Sequence, residues 1–221
     1  MLQFFASVLP RPLRRSVRTA YHHRQIRRGA FRSPEPDWDR LAEWIAAGDT
    51  VIDVGANVGH YACRMSELVG SRGRVLAFEP VPETFAALAA NARRFAHSNV
   101  TLFNAAVGAE TGFVGFDVPD RPDGSYLARV QPEAALRAMV LPIDALQLPG
   151  RVAFIKIDAE GYEPHVLAGM AKLIRRDRPI VMLEKNGEAQ QLLERWGYAI
   201  EAPAKRSPNA IAKPQPFAYT D

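Results

Sequence analysis

The chain has 221 residues with a formal net charge of +4 at pH 7 and one cysteine, the length of one domain with a short appendage at about 100–200 residues per domain. No stretch approaches the roughly 18 uncharged apolar residues of a membrane span, and a lone Cys63 excludes an internal disulfide and a cysteine metal cluster, so a cytoplasmic protein is expected. The charge is uneven: residues 1–32 hold eight arginines and no acid, while the chain as a whole has 28 Lys+Arg against 24 Asp+Glu, which leaves the remainder net acidic.

The basic segment reads as an N-terminal arm over 1–35. Its opening Met1-Leu2-Gln3-Phe4-Phe5-Ala6-Ser7-Val8-Leu9-Pro10 is apolar ahead of the arginines, the reverse of a secretory signal. Such an arm suits an anionic membrane surface, a phosphorylated substrate or nucleic acid, and the apolar start favours a peripheral membrane contact. The plain alternative is a solvated arm, or a helix packed on the domain. Ser33-Pro34-Glu35-Pro36 reads as a break, and the domain proper is expected over 36–221. Asp37 stands where it could cap a helix whose Trp38, Leu41, Ala42 and Ile45 fall at helical spacing, with Gly48 ending it.

The run Val51-Ile52-Asp53-Val54-Gly55-Ala56-Asn57-Val58-Gly59-His60 then reads as a buried strand breaking into a glycine-bearing turn before a helix. Glycines let the backbone pass close to a ligand, and the N–H groups opening the helix offer donors to an anionic group. A dinucleotide turn needs G-x-G-x-x-G, and Asn57 occupies its middle glycine position, which argues against an NAD-linked oxidoreductase. Cys63, on the predicted helix, is expected to be a small buried hydrophobe, and His60 a packing or capping residue that could also serve as a base. Arg74–Pro80 is a second strand ending in Glu79, placed to accept hydrogen bonds from both hydroxyls of a ribose.

Phe85, Leu88, Ala89 and Ala92 mark the next helix, and 100–107 a third strand. Residues 108–151 form a hairpin-rich insertion with β-like pieces Gly112–Val118, Tyr126–Val130 and Met139–Ile143. It leaves the sheet where ligands bind in open α/β sheets, so it is placed to cover a substrate. Val152–Ile157 is the fourth strand, Val166, Met170 and Leu173 a helix, and Pro179–Leu183 the fifth strand. Ala189, Leu192, Leu193 and Trp196 mark a further helix, and Gly197–Ile200 and Ala210–Ala212 the closing strands. Alternating strands and helices of this kind build a mostly parallel sheet covered on both faces.

The most chemical segment is Phe154-Ile155-Lys156-Ile157-Asp158-Ala159-Glu160-Gly161. Alternation sends Lys156 and Asp158 to one face, and Asp158 and Glu160 emerge at the carboxyl end. Two acids there can orient a hydroxyl, accept its proton or hold a divalent cation such as Mg²⁺. The structural alternative has Glu160 capping the next helix and Lys156 paired with an acid.

Ile52-Asp53-Val54-Gly55-Ala56-Asn57-Val58-Gly59, Phe78-Glu79-Pro80, Asn104-Ala105-Ala106-Val107-Gly108 and Lys156-Ile157-Asp158-Ala159-Glu160-Gly161 occur in the order found in the FkbM-type methyltransferases, which this chain resembles over roughly 38–213, Met182-Leu183-Glu184 included. The resemblance implies a Rossmann-like class I methyltransferase fold with a mostly parallel seven-stranded sheet. It implies S-adenosylmethionine (SAM) as cofactor and O-methylation of a hydroxyl on a sugar, polyketide, lipid-linked or other secondary-metabolite acceptor. Asp53, Gly55, Ala56, Asn57 and Gly59 would then line the methionine half of SAM and Glu79 its ribose. Asn104 and Ala105 would lie near the adenine, and Asp158 near the reacting centre with Glu160 and His60 as further catalytic candidates. A nucleic-acid methyltransferase would explain the arm, but the fourth strand lacks the Asn/Asp-Pro-Pro-aromatic turn of amino-methylating enzymes. A non-catalytic binding module docking on anionic membrane is the third class.

Overall fold

The computed structural model describes residues 11–119, 129–131, 133–148, 150–201 and 205–216. An N-terminal helix α1 (Arg11–Arg27) and a short α2 (Asp37–Arg40) precede strand β1 (Thr50–Val54), helix α3 (His60–Val69), β2 (Arg74–Phe78), α4 (Pro82–Ala92) and β3 (Val100–Phe103). Four short strands follow: β4 (Ala106–Val107), β5 (Gly112–Asp117), β6 (Arg129–Val130) and β7 (Leu136–Leu141). The chain then returns through β8 (Val152–Ile157), α5 (Glu163–Ala168), α6 (Ala171–Asp177), β9 (Ile180–Glu184), α7 (Gly187–Arg195), β10 (Tyr198–Glu201) and β11 (Asn209–Pro214).

The main sheet has seven strands in the order β10-β11-β9-β8-β1-β2-β3. All neighbours are parallel except β11, which runs against both β9 and β10. Strands buried on both faces read as near-continuous apolar runs, which is why β1, β2, β8 and β9 are so rich in Val, Ile, Leu and Phe. Alternate residues feed opposite cores. Ile52, Leu76, Ile155 and Ile157 pack with Leu167, Ile174 and Leu193, whereas Val51, Val75 and Phe154 pack with Leu41, Trp44, Tyr61 and Met65. Sequence order reverses between β1 and β8, so the carboxyl ends of these two strands form the crevice where open α/β sheets bind ligands.

Several boundaries differ from the sequence reading. The helix expected from Asp37 to Gly48 stops at Arg40 and continues as a 3-10 turn over Leu41–Glu43. Asp37 does not cap it: Pro36 holds the cap position, and the buried Asp37 carboxylate instead accepts hydrogen bonds from the Ser207 hydroxyl and the Asn209 amide. The helical spacing of Leu41 and Ile45 records their burial, not a continuous helix. The third strand also divides. Residues 100–103 stay in the main sheet, while Ala106–Val107 peel away into a second sheet of order β4-β7-β5-β6. Its other three strands fall within residues 108–151, and where the piece Met139–Ile143 was expected the strand is Leu136–Leu141, with Ile143 in a 3-10 turn. Of the Tyr126–Val130 piece only Arg129–Val130 lies within the described residues.

Residues 11–27 of the arm take the packed-helix alternative. His22 is buried and meets the Asn91 amide at 3.2 Å, and His23 meets the Ala90 carbonyl at 3.1 Å. Ile26 joins Phe31, Val58 and Cys63 in a small apolar cluster. Burial pushes the Cys63 thiol up to about 12, which fits the inert role expected of it.

Candidate active site

A cleft of about 420 Å³ opens at the carboxyl ends of β1, β2 and β8, within the roughly 300–1,000 Å³ of small-molecule sites. Of the residues expected at the site, Gly55, Ala56, Asn57, His60, Glu79, Ala105, Asp158 and Glu160 line it; Asp53, Gly59 and Asn104 do not.

The turn after β1 needs left-handed backbone, with φ of 77° at Gly55, 50° at Asn57 and 99° at Gly59. Asparagine tolerates this region better than other residues with a Cβ. Its Oδ1 accepts the Val58 N–H at 2.8 Å, which stabilises the bend locally. Protein also stands against the glycines. A Cβ on Gly55 would lie 1.9 Å from the Asp158 carbonyl oxygen, and one on Gly59 would lie 2.7 Å from the Leu88 side chain. The fold itself therefore requires both positions to be small. The close approach at Gly55 locks the turn to the end of β8, where the Asp158 N–H also donates to the Val54 carbonyl at 3.0 Å.

Glu79, 4% exposed, closes the end of β2. One carboxylate oxygen accepts the Asn57 N–H and the other the Val81 N–H, each at 2.9 Å. Each oxygen retains a further lone pair, and Glu79 lines the cleft. Burial pushes the group up to about 7 against the pull of these two donors. Asn104 is exposed, and its amide donates to the Glu79 and Pro80 carbonyls at 2.8 and 3.1 Å; it braces the strand ends while Ala105 forms the wall.

Below the cleft, Lys156 is buried and ion-paired with Asp158 at 2.9 Å, and its ammonium lies 4.7 Å from the Tyr61 ring centre. Burial opposes the Lys156 charge, but Asp158 and Asp53 outweigh it and raise its affinity for the proton. Asp53 sits in register with Lys156 on the neighbouring strand and is fully buried. Burial pushes Asp53 up to about 6, with Lys156 pulling the other way. The pair expected of Lys156 is therefore present, and Asp53 lies beneath the cleft floor.

The carboxylate that stitches the following loop is Glu163, not Glu160. It is buried and accepts the N–H groups of Ala159 and Gly161 at 3.1 and 3.2 Å. Glu160 is thereby left at φ 51°, and its carboxylate oxygen lies within 4.8 Å of those of Asp158 and Glu184. Burial, then Asp158 and Glu160, push Glu184 up to about 7. Arg129 stands 3.7 Å from Glu160. This donor set has the hard oxygen chemistry that Mg²⁺ takes.

His60 lines the cleft at the start of α3 but is packed on Phe31, with ring centres 4.2 Å apart. Burial pushes it down to about 4, so it is neutral near pH 7. Sequence reasoning missed the rest of the wall: Ser33, Glu35, Tyr61, Phe116, Val130 and Tyr162. The Tyr61 hydroxyl donates to Glu35 at 2.7 Å, and the Asn209 amide donates to the same carboxylate at 2.9 Å. No local pattern marks Glu35; its tertiary partners on α3 and β11 bring it to the site.

The parallel sheet with its reversed last strand, the glycine turn after β1 and the acid at the end of β2 define a class I methyltransferase fold. The methyltransferase FkbM domain model matches residues 53–200, and the chain belongs to this family. It is 30% identical over 139 residues to the hexuronic acid methyltransferase AglP of Haloferax volcanii, covering 61% of this chain and 55% of that protein. It is 32% identical over 127 residues to a protein-L-isoaspartate O-methyltransferase of Ignicoccus hospitalis, covering 53% of this chain and 58% of that one. The chain thus matches little more than half the length of these curated relatives. Among solved structures, the FkbM methyltransferase of Methylobacillus flagellatus KT superposes with a TM-score of 0.54 at 20% identity, covering 81% of this chain and 50% of that one.

Proposed function

We propose that the chain transfers the methyl group of SAM to a hydroxyl of a small-molecule or glycan acceptor, with a sugar as the first class to try. The observation that carries this reading is the placement of two acids in one cleft: Glu79, buried with spare acceptor capacity, and Asp158 at the neighbouring strand end. Glu79 suits the ribose hydroxyls of SAM, and Gly55, Ala56, Asn57 and Ala105 supply the surrounding wall. The sugar class comes from the likeness to AglP.

SAM supplies an already activated methyl on its sulfonium. The chain's own contribution is to hold the acceptor oxygen in line, which accounts for a large share of rate in such reactions, and to take its proton. Lys156 fixes the Asp158 carboxylate from below, leaving Asp158 to orient or deprotonate the hydroxyl. Asp158, Glu160 and Glu184 would hold a divalent cation, whose charge would lower the pKa of a bound hydroxyl. The second sheet, through Phe116 and Val130, covers the acceptor side.

Asp158→Asn keeps the shape and removes the charge. Its turnover with labelled SAM and a panel of sugars should fall on the order of 10²–10⁴-fold, with SAM affinity changed much less. Loss of activity on chelation, restored by Mg²⁺, assigns the metal route; indifference to chelator assigns a carboxylate base. Parental turnover by Asp158→Asn would remove Asp158 from the mechanism and turn attention to Glu160 and His60.

A further inference from the structure

Helix α1 carries a surface that methyl transfer leaves unused. Its inner side is occupied by the domain, through His22, His23 and Ile26. Its outer side presents Leu13, Val17 and Tyr21, which are 49%, 37% and 44% exposed. Their spacing of four places them in one row along the helix. Exposed Ala20 lies beside that row, and exposed Arg24, Arg27 and Arg28 extend it towards the helix end. The 17 residues of α1 contain no acid.

Two features coincide on this face, and they select the partner. Arginines alone would serve the phosphates of nucleic acid, but that contact is electrostatic and gains nothing from an aliphatic Leu-Val row. The headgroup boundary of an anionic bilayer takes both: apolar side chains sink towards the acyl chains while guanidinium groups meet lipid phosphates. We propose that the outer face of α1 is a docking surface for an anionic phospholipid bilayer. This surface leads into the site. The chain leaves α1 through the Gly29 turn, packs Phe31 on His60, and supplies Ser33 and Glu35 to the cleft wall.

The test is co-sedimentation of the full chain with phosphatidylcholine vesicles, with and without phosphatidylglycerol. The chain should sediment with the phosphatidylglycerol vesicles and remain in solution with phosphatidylcholine alone. Replacing Arg24, Arg27 and Arg28 by Gln should weaken partitioning about fivefold for each arginine removed. Val17→Glu with Tyr21→Glu should weaken it at least as much, although the charge change is smaller, because the apolar row no longer enters the boundary. All five positions are exposed, so melting temperatures should stay at the parental value; Val17→Ser offers a milder probe should the double variant melt early. Failure to sediment with phosphatidylglycerol vesicles at low salt would overturn the proposal. So would full binding by the Val17 variants, or a preference for RNA strong enough to displace the vesicles.

Discussion

Gly55→Ala separates two reasons for a glycine at the cofactor turn. A glycine kept for the ligand could be replaced with loss of binding and little loss of stability. The structure places the added Cβ 1.9 Å from the Asp158 carbonyl oxygen instead, on a residue whose backbone is at φ 77°. The left-handed backbone alone costs about 1–2 kcal/mol for a residue with a Cβ. Forcing apart two hydrogen-bonded strand ends adds about 1–3 kcal/mol, as overpacking generally does. A total of about 2–5 kcal/mol lowers the melting temperature of a chain this size by about 4–20 °C. Gly29→Ala is the internal control, since Gly29 has φ 64°, closes the end of α1 and has nothing within 4 Å of its added Cβ; it should show the backbone cost alone. Thermal melting followed by circular dichroism, with and without S-adenosylhomocysteine, measures both variants. The reasoning fails if Gly55→Ala melts no lower than Gly29→Ala, above all if it has lost the ligand.

Two further outcomes concern pH. Because burial pushes Glu79 up to about 7, the charge of the acceptor proposed for the ribose is lost as pH falls through 7. Affinity for S-adenosylhomocysteine, measured by calorimetry, should therefore drop between pH 8 and 6; a flat profile would remove Glu79 from the ribose. Glu79→Gln should bind weakly throughout, since its NH₂ cannot accept from Asn57 or Val81 and leaves a buried donor unsatisfied. His22 is shifted the other way, and its effect has the same sign. Burial first, then His60 and Arg18, hold it down to about 4, below its usual 6.5, so the docking of α1 should be full above pH 6.5 and weaken as pH falls towards 4. Hydrogen exchange over residues 11–27 reads this directly, and unchanged protection across that range would contradict it.

The sheet was legible because strands covered on both faces must be apolar throughout, which made β1, β2, β8 and β9 conspicuous. Acids and glycines at the ends of those runs stand where the chain leaves the core, so Gly55, Glu79, Asp158 and Glu160 could be placed at one edge without coordinates. Side-chain direction was less accessible. Asp53 points beneath the floor and Asn104 turns back onto carbonyls, since each depends on which neighbour the sheet register supplies. Glu35 was hidden for another reason: its partners Tyr61 and Asn209 are 26 and 174 residues away, and no periodic pattern spans those distances. Asp37 was misread because a helix start and a buried tertiary acceptor call for the same residue type.

The second sheet has a core of its own. Ala106, Phe116, Ala138 and Val140 pack with one another, apart from the clusters that fill the main sheet. Its attachment to the rest is Val107 and Leu141, which pack in the main core. The outer strands β5 and β6 therefore rest on a foundation of their own, while β4 and β7 tie the two sheets together. If the second sheet meets the acceptor as proposed, grafting β5 and β6 from a relative, with Val107 and Leu141 kept, is the natural route to a new one.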